Sequence, residues 1–288
     1  MQRVHRGQQF ETDVNLRAAN CAHEQSHAQF REDVALLPTL LATTSTVRPG
    51  TFVELGAFDG SALSNTWMLE KCMNWTGVLI EANPTNFAKL KKTSRRNTVK
   101  VHSAVCASDA QIRMVARGAS TTGQVDALTE EQLKRYYSGR RPHINDTVSV
   151  PCRSLASIMA SAGHREARFL SLDVEGAEAL VLSTVDPAIF DVIMVETQAH
   201  DADARRRIDE LVMGSGKMRR ATSLWVPFST VYVRQGVREV AVAHRSVRSV
   251  RGAFSTTYRR PSSGETGSFL KETGLHDKQD TSLSTISI

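Results

Sequence analysis

The chain has 288 residues, enough for one α/β domain of ordinary size with a substantial buried core plus tails. Its formal net charge is +6, yet five arginines and no carboxylate fall between His244 and Arg260, so much of the excess sits in the tail and a nucleic-acid-seeking fold is disfavoured. No run of about 18 apolar residues is present to cross a membrane, and the polar stretch Met1 to Ala22 lacks the apolar centre of a signal peptide.

Residues 1–27 show no sustained periodicity and read as a flexible lead-in. From Ala28, the spacing of Leu36, Leu37, Leu40 and Leu41 predicts a short amphipathic helix. Pro49-Gly50 then introduces Thr51-Phe52-Val53-Glu54-Leu55, an apolar run that reads as a buried strand, and Gly56-Ala57-Phe58-Asp59-Gly60 breaks it. Gly56 and Gly60 permit a sharp turn and a close ligand approach, and Ser61 is placed to cap a helix over 62–73 with Ala62, Thr66, Leu69 and Met73 along one face. A second strand over 76–81 ends in Glu81-Ala82-Asn83-Pro84, with Pro84 suited to the first turn of a helix over 85–93.

A third strand is predicted over 99–106. Between 109 and 150 the pattern loosens into a strand at 112–116, a polar loop at 118–123 and a helix at 128–137, and we read this segment as an insertion that shapes a substrate pocket. A helix over 155–162 precedes the strongest strands, Phe169 to Asp173 and Val192 to Glu196. Between these, Val174-Glu175-Gly176-Ala177-Glu178 turns into a helix expected to bury Leu180 and Val181. A helix over 201–213 leads to segments 219–222 and 226–234, suited to an antiparallel edge hairpin. Near-continuous apolar strands alternating with helices predict a Rossmann-like α/β domain over 28–235, its mostly parallel sheet covered on both faces. Residues 236–288, rich in Ser, Thr, Arg and Gly, are expected to be disordered.

The four cysteines, at 21, 72, 106 and 152, follow no zinc spacing. Their number permits two disulfides, with Cys106 and Cys152 the favoured pair, and Asn74-Trp75-Thr76 and Asn145-Asp146-Thr147 are acceptor sequons. The sequence leans towards a cytoplasmic protein and leaves a secretory route open for a chain trimmed at its N-terminus.

Strand, glycine turn and helix N-terminus form the usual nucleotide pocket of an open α/β sheet. Here Glu54 and Asp59 stand beside the turn, where they would repel a pyrophosphate and favour a ligand with a cationic centre. Ala57 and Phe58 also occupy positions that a dinucleotide fingerprint gives to glycine. Glu81 follows one strand-helix-strand unit later, where an adenosyl ligand needs a carboxylate for its ribose hydroxyls.

These blocks, Phe52 to Gly60, Ile80 to Pro84 and Leu172-Asp173-Val174-Glu175-Gly176-Ala177-Glu178, resemble the signatures of the FkbM-type S-adenosylmethionine-dependent methyltransferases, in order and spacing, over about residues 28–235. The resemblance implies a seven-stranded class I methyltransferase sheet and transfer to a hydroxyl of a sugar, a glycan or another small metabolite. Carried over by position, Glu54, Gly56, Asp59 and Gly60 would frame the methionine end of the cofactor. Glu81 would bind the ribose, Asn83 with Ser103 and Ala104 would edge the adenine, and Asp173 would lie beside the sulfonium. A hydroxyl acceptor needs a base near the methyl group, for which Asp173, Glu175 and His200 are the candidates. Alternatives are a divalent metal held by Asp173, Glu196 and His200, a nucleic-acid methyltransferase, and a non-catalytic binding protein of the same fold.

Overall fold

The computed structural model describes residues 20–43, 49–115, 138–197 and 202–240, together with 130, 133 and 134. Seven strands build the main sheet: β1 (Thr51–Leu55), β2 (Thr76–Glu81), β3 (Thr98–His102), β7 (Ala167–Leu172), β8 (Phe190–Glu196), β9 (Met218–Arg220) and β10 (Ser229–Arg234). Their order is β3-β2-β1-β7-β8-β10-β9. The first five run parallel, and β10 pairs antiparallel with both β8 and β9, giving the expected edge hairpin. This is the Rossmann-like architecture read from the sequence.

Because successive side chains of a strand face opposite ways, the continuous apolar runs feed two cores. Val53, Leu55, Ile80, Leu170, Leu172 and Ile193 face one side, where they meet Leu155 and Ile158 of the helix Leu155–Ser161, Val181 of the helix Glu178–Leu182, and Ile208 and Val212 of the helix Ala202–Met213. Phe52, Leu79, Phe169, Val192 and Met194 face the other, under Leu36 and Leu40 of the helix Glu32–Ala42 and Met68 and Leu69 of the helix Trp67–Met73. Phe52 and Phe169 are each at most 1% exposed, and truncating either to alanine should cost about 3–5 kcal/mol.

Four local expectations are corrected. The helix foreseen over 62–73 begins only at Trp67, because Asp59 and Glu54 hold the preceding residues in turns. The third strand divides at Ser103: Thr98–His102 stays in the main sheet while β4 (Ala104–Val105) joins a second, three-stranded sheet with β5 (Ala110–Val115) and β6 (Thr147–Arg153). There β6 is central, parallel to β4 and antiparallel to β5. In the helix Glu178–Leu182, Leu180 points outward and Leu182 takes the buried place beside Val181. Finally, both ends of the domain extend further than their composition suggests. Residues 20–25 are helical and Cys21 is bonded to Cys72, while Val240 exchanges hydrogen bonds with Thr39 and Glu239 pairs with Arg219. The loop expected at 118–123, most of the helix expected at 128–137 and the tail beyond 240 lie outside the described residues. Among the described residues no helix is long and apolar enough to cross a membrane.

Candidate functional site

Three strand tips meet at Gly56. Its N–H and that of Ala57 donate to the Ile80 carbonyl at 3.2 and 3.1 Å, and the Asp173 N–H donates to the Leu55 carbonyl at 3.3 Å. Gly56 has φ +77°, and a Cβ there would lie 1.8 Å from the Asp173 carbonyl oxygen, so glycine is required both by conformation and by space.

Glu54 supports this turn from behind. Its buried carboxylate accepts from Ser64 Oγ (2.9 Å), Thr66 Oγ1 (2.5 Å) and the Asn65 N–H (2.8 Å). Arg95 completes the arrangement: fully buried, it pairs with Glu70 at 2.5 Å and donates to Gly60 O, Ser64 Oγ and Thr66 Oγ1. Asp59 in turn accepts from the N–H groups of Ser61 and Ala62. Glu54, Asp59 and Gly60 therefore shape the loop, and none of them is on the wall of the cleft in front of it.

That cleft, about 650 Å³ counted to its open mouth, lies at the carboxyl ends of the strands. It brings together Gly56, Glu81, Ser103, Ala104, Asp173 and Glu175 of the residues foreseen from sequence. Glu81 is 7% exposed, with Oε2 accepting from the Phe58 N–H (2.8 Å) and Oε1 from the Asn83 N–H (2.7 Å). Burial pushes its carboxyl up to about 7, against the pull of those hydrogen bonds. Asn83 stands behind the wall: its side chain caps the helix Pro84–Leu90 by accepting from the N–H groups of Thr85 and Asn86, and donates to the Val115 carbonyl. Sequence reasoning missed Ile112 and Met114, which line the cleft from β5. Their alternation with exposed neighbours along 110–115 was the available signal.

Asp173 also borders a second cleft of about 480 Å³, with Gln29, Phe30, Glu32, Asn65, Glu196 and Phe228 among its walls. Lysine and arginine do not occur among the described residues that line it. Oxygens of Asp173, Glu178 and Glu196 lie within 4.8 Å of one another. Glu178 is fully buried and accepts from the N–H groups of Val174 and Gly176, which fixes the loop after β7, where Glu175 and Gly176 both have positive φ. Burial, then the like charges of Glu175, Glu196, Glu178 and Glu32, hold the Asp173 carboxyl well above the usual carboxylate range. Its side chain nonetheless stays exposed, so solvent weakens both the cost of burial and the repulsion among the carboxylates. Burial likewise raises Glu32, whose Oε2 accepts from the Phe30 N–H. Asn65 donates to Ser171 Oγ at 3.1 Å, while its buried Oδ1 has no hydrogen-bond partner. His200 lies outside the described residues.

The family model described as "Methyltransferase FkbM domain" matches residues 54–220. Comparison with curated proteins gives no match. Among solved structures, the chain is similar to the methyltransferase FkbM from Methylobacillus flagellatus KT at 10% identity and a TM-score of 0.42, over 76% of this chain and 58% of that one, so it spans less than two thirds of that protein's length. It is also similar to the O-methyltransferase from Bacillus cereus in complex with SAH (13% identity, TM-score 0.36, 78% and 90% of the two chains). A third likeness is to Aeropyrum pernix fibrillarin with natively bound S-adenosyl-L-methionine (14% identity, TM-score 0.34, 70% and 75%).

Proposed function

The chain belongs to the FkbM methyltransferase family, and we propose that it uses S-adenosylmethionine to methylate a hydroxyl oxygen on a sugar, a glycan or another small metabolite. The observation that carries this reading is that one carboxylate, Asp173, borders both clefts, so a base stands where a methyl donor in the first would meet an acceptor in the second.

The residues of the first cleft fit the cofactor. Glu81 would take the ribose hydroxyls, and the bare backbone at Gly56 would let the methionine end approach. Ser103 and Ala104, with Ile112 and Met114, would flank the adenine. Asp173 would face the positive charge, which relieves the crowding of acids around it. Bound there, the cofactor supplies an electrophilic methyl group on a sulfonium. The protein's part is to hold the acceptor oxygen in line and to remove its proton. Asp173 suits the second task by position, since it borders both clefts. Glu175 lines only the first cleft and is the second candidate, with His200 the third. The acids of the second cleft disfavour a phosphodiester, which weighs against a nucleic-acid acceptor.

Calorimetry should show S-adenosylmethionine or its demethylated product binding, and Glu81→Ala should weaken that binding by about 1.5–3 kcal/mol. Absence of binding removes the cofactor from the reading. Transfer of labelled methyl to an extract separated into glycans, lipids, proteins and RNA then tests the acceptor. Label confined to RNA overturns the hydroxyl-metabolite assignment, and binding without transfer to any fraction leaves a non-catalytic protein.

A further inference from the structure

Both disulfides and one sequon fall outside the residues that line the clefts. All four cysteines are paired, Cys21 with Cys72 and Cys106 with Cys152, at Cα separations of 5.8 and 5.7 Å. The bonds join segments 51 and 46 residues apart: one ties the helical residues 20–25 to the helix Trp67–Met73, the other ties the residue after β4 to β6. Two long-range crosslinks that use every cysteine are what a chain matured in an oxidising compartment needs, and a reducing cytosol would not keep them.

Two residues beyond Cys72 stands Asn74, the first residue of the sequon Asn74-Trp75-Thr76. It ends its helix in the left-handed region (φ 53°, ψ 31°) and is exposed, as is Thr76, while Trp75 between them is buried. The sequon is thus presented on a fixed turn with both required side chains at the surface. Asn74 Oδ1 accepts from Asn97 Nδ2 at 2.9 Å, which leaves Asn74 Nδ2 outside that bond. Asn74 precedes the first residue of β2, so it lies at the amino ends of the parallel strands, whereas the clefts open at their carboxyl ends. A bulky group there leaves both clefts clear.

We propose that the native chain is oxidised at both cysteine pairs and carries an N-linked oligosaccharide on Asn74. The donor is a lipid-pyrophosphate-linked oligosaccharide. Asn74 Nδ2 bonds to its anomeric carbon, the anomeric carbon–oxygen bond breaks, the lipid pyrophosphate leaves with the bonding pair, and the amide loses one proton. Thr76 supplies the hydroxyl that the sequon requires.

The test is made on full chain recovered, with thiols blocked, from the cells that produce it. Digestion with peptide N-glycosidase in heavy-oxygen water, followed by peptide mapping without reduction, is expected to show labelled aspartate at position 74 and linked peptides for both cysteine pairs. Unmodified Asn74, label at Asn145 alone, or a blocked thiol at any of the four cysteines overturns the proposal. Thr76→Ala should abolish the modification with Asn74 still present, and Thr76→Ser should keep it. A glycan that survives Thr76→Ala is equally fatal. Asn74→Gln should leave S-adenosylmethionine binding unchanged, because the modification sits away from the clefts.

Discussion

Glu54 and Asp173 are acids at the tips of neighbouring parallel strands, and their surroundings are opposite. Glu54 is buried and satisfied on both oxygens by Ser64, Asn65 and Thr66. Asp173 opens onto two clefts and faces other carboxylates. The residue type is the same, so saturation by donors is what separates an acid that holds the loop from one free to do chemistry. Asp173→Asn tests the free one. If Asp173 removes the acceptor's proton, labelled methyl transfer should fall by about 10²- to 10⁴-fold, while the melting temperature holds or rises as one like charge leaves the group with Glu178 and Glu196. Undiminished transfer would move the base to Glu175 or His200.

Glu54 should respond in the other sense. Glu54→Ala leaves the buried hydroxyls of Ser64 and Thr66 and the Asn65 N–H without their acceptor, beside an Arg95 that is already committed to Glu70. We expect a loss of about 2–4 kcal/mol in folding stability, read from the denaturant midpoint, and weaker cofactor binding only in proportion to a loosened loop. Unchanged stability with binding abolished would put Glu54 on the ligand and end the contrast with Asp173.

Much of this contrast was beyond the sequence, for a physical reason. Apolar runs and their alternation with helices are local signals, and the runs 51–55, 76–81, 167–172 and 190–196 carried enough apolar residues to give the parallel sheet. The cleft residues Gly56, Glu81, Asp173 and Glu175 were legible because they sit where those strands end, whereas Ser103 and Ala104 came from the family resemblance, since the third strand was expected to run on to 106. Glu54, Asp59, Gly60 and Asn83 had the same motif credentials, but Asp59 turns back onto Ser61 and Ala62, and the other three meet partners brought in by folding, for Gly60 the Arg95 guanidinium. Glu54 reaches residues 64–66, and Asn83 reaches Val115. The second sheet escaped notice because its central strand carries Pro151, opposite Gln111, and proline ordinarily argues against a central strand. Without that sheet, Ile112 and Met114 had no cleft to line.

Glu81 stands between the two extremes, with both oxygens engaged and yet on the cleft wall, and pH is the way to resolve it. Its carboxyl is pushed up to about 7 by burial. In the free protein its stabilising share is therefore whole below the unfolded value near 4.5, and is lost as pH rises through about 7. Cofactor binding has the opposite sign, because ribose hydroxyls donate best to the ionised form. Affinity for S-adenosylmethionine should rise by up to about tenfold from pH 6 to 8 and level above that, with protons released on binding below pH 7. Glu81→Gln should flatten the profile. A profile that stays sloped in that variant assigns the titration to another group.

Asp33 extends the same comparison to an acid that is buried, only half satisfied and away from both cleft walls. Its Oδ1 accepts from Ser26 Oγ (2.6 Å) and the Val34 N–H (2.8 Å), and its Oδ2 has no hydrogen-bond partner. Burial pushes the carboxyl up to about 6, helped by the charge of Glu32 and opposed by those two hydrogen bonds and by Arg31. A raised value means that its stabilising share is intact below 3.8 and is lost as pH climbs through about 6, so at neutral pH the fold holds an ionised, partly unpaired acid. Asp33→Asn keeps an oxygen for Ser26 and Val34 and removes the charge. It should stabilise the protein by about 1 kcal/mol above pH 7 and by nothing near pH 4, as read from urea midpoints at the two values. Destabilisation at neutral pH would mean that the Asp33 charge is compensated, and donor count would then no longer suffice to rank the acids of this chain.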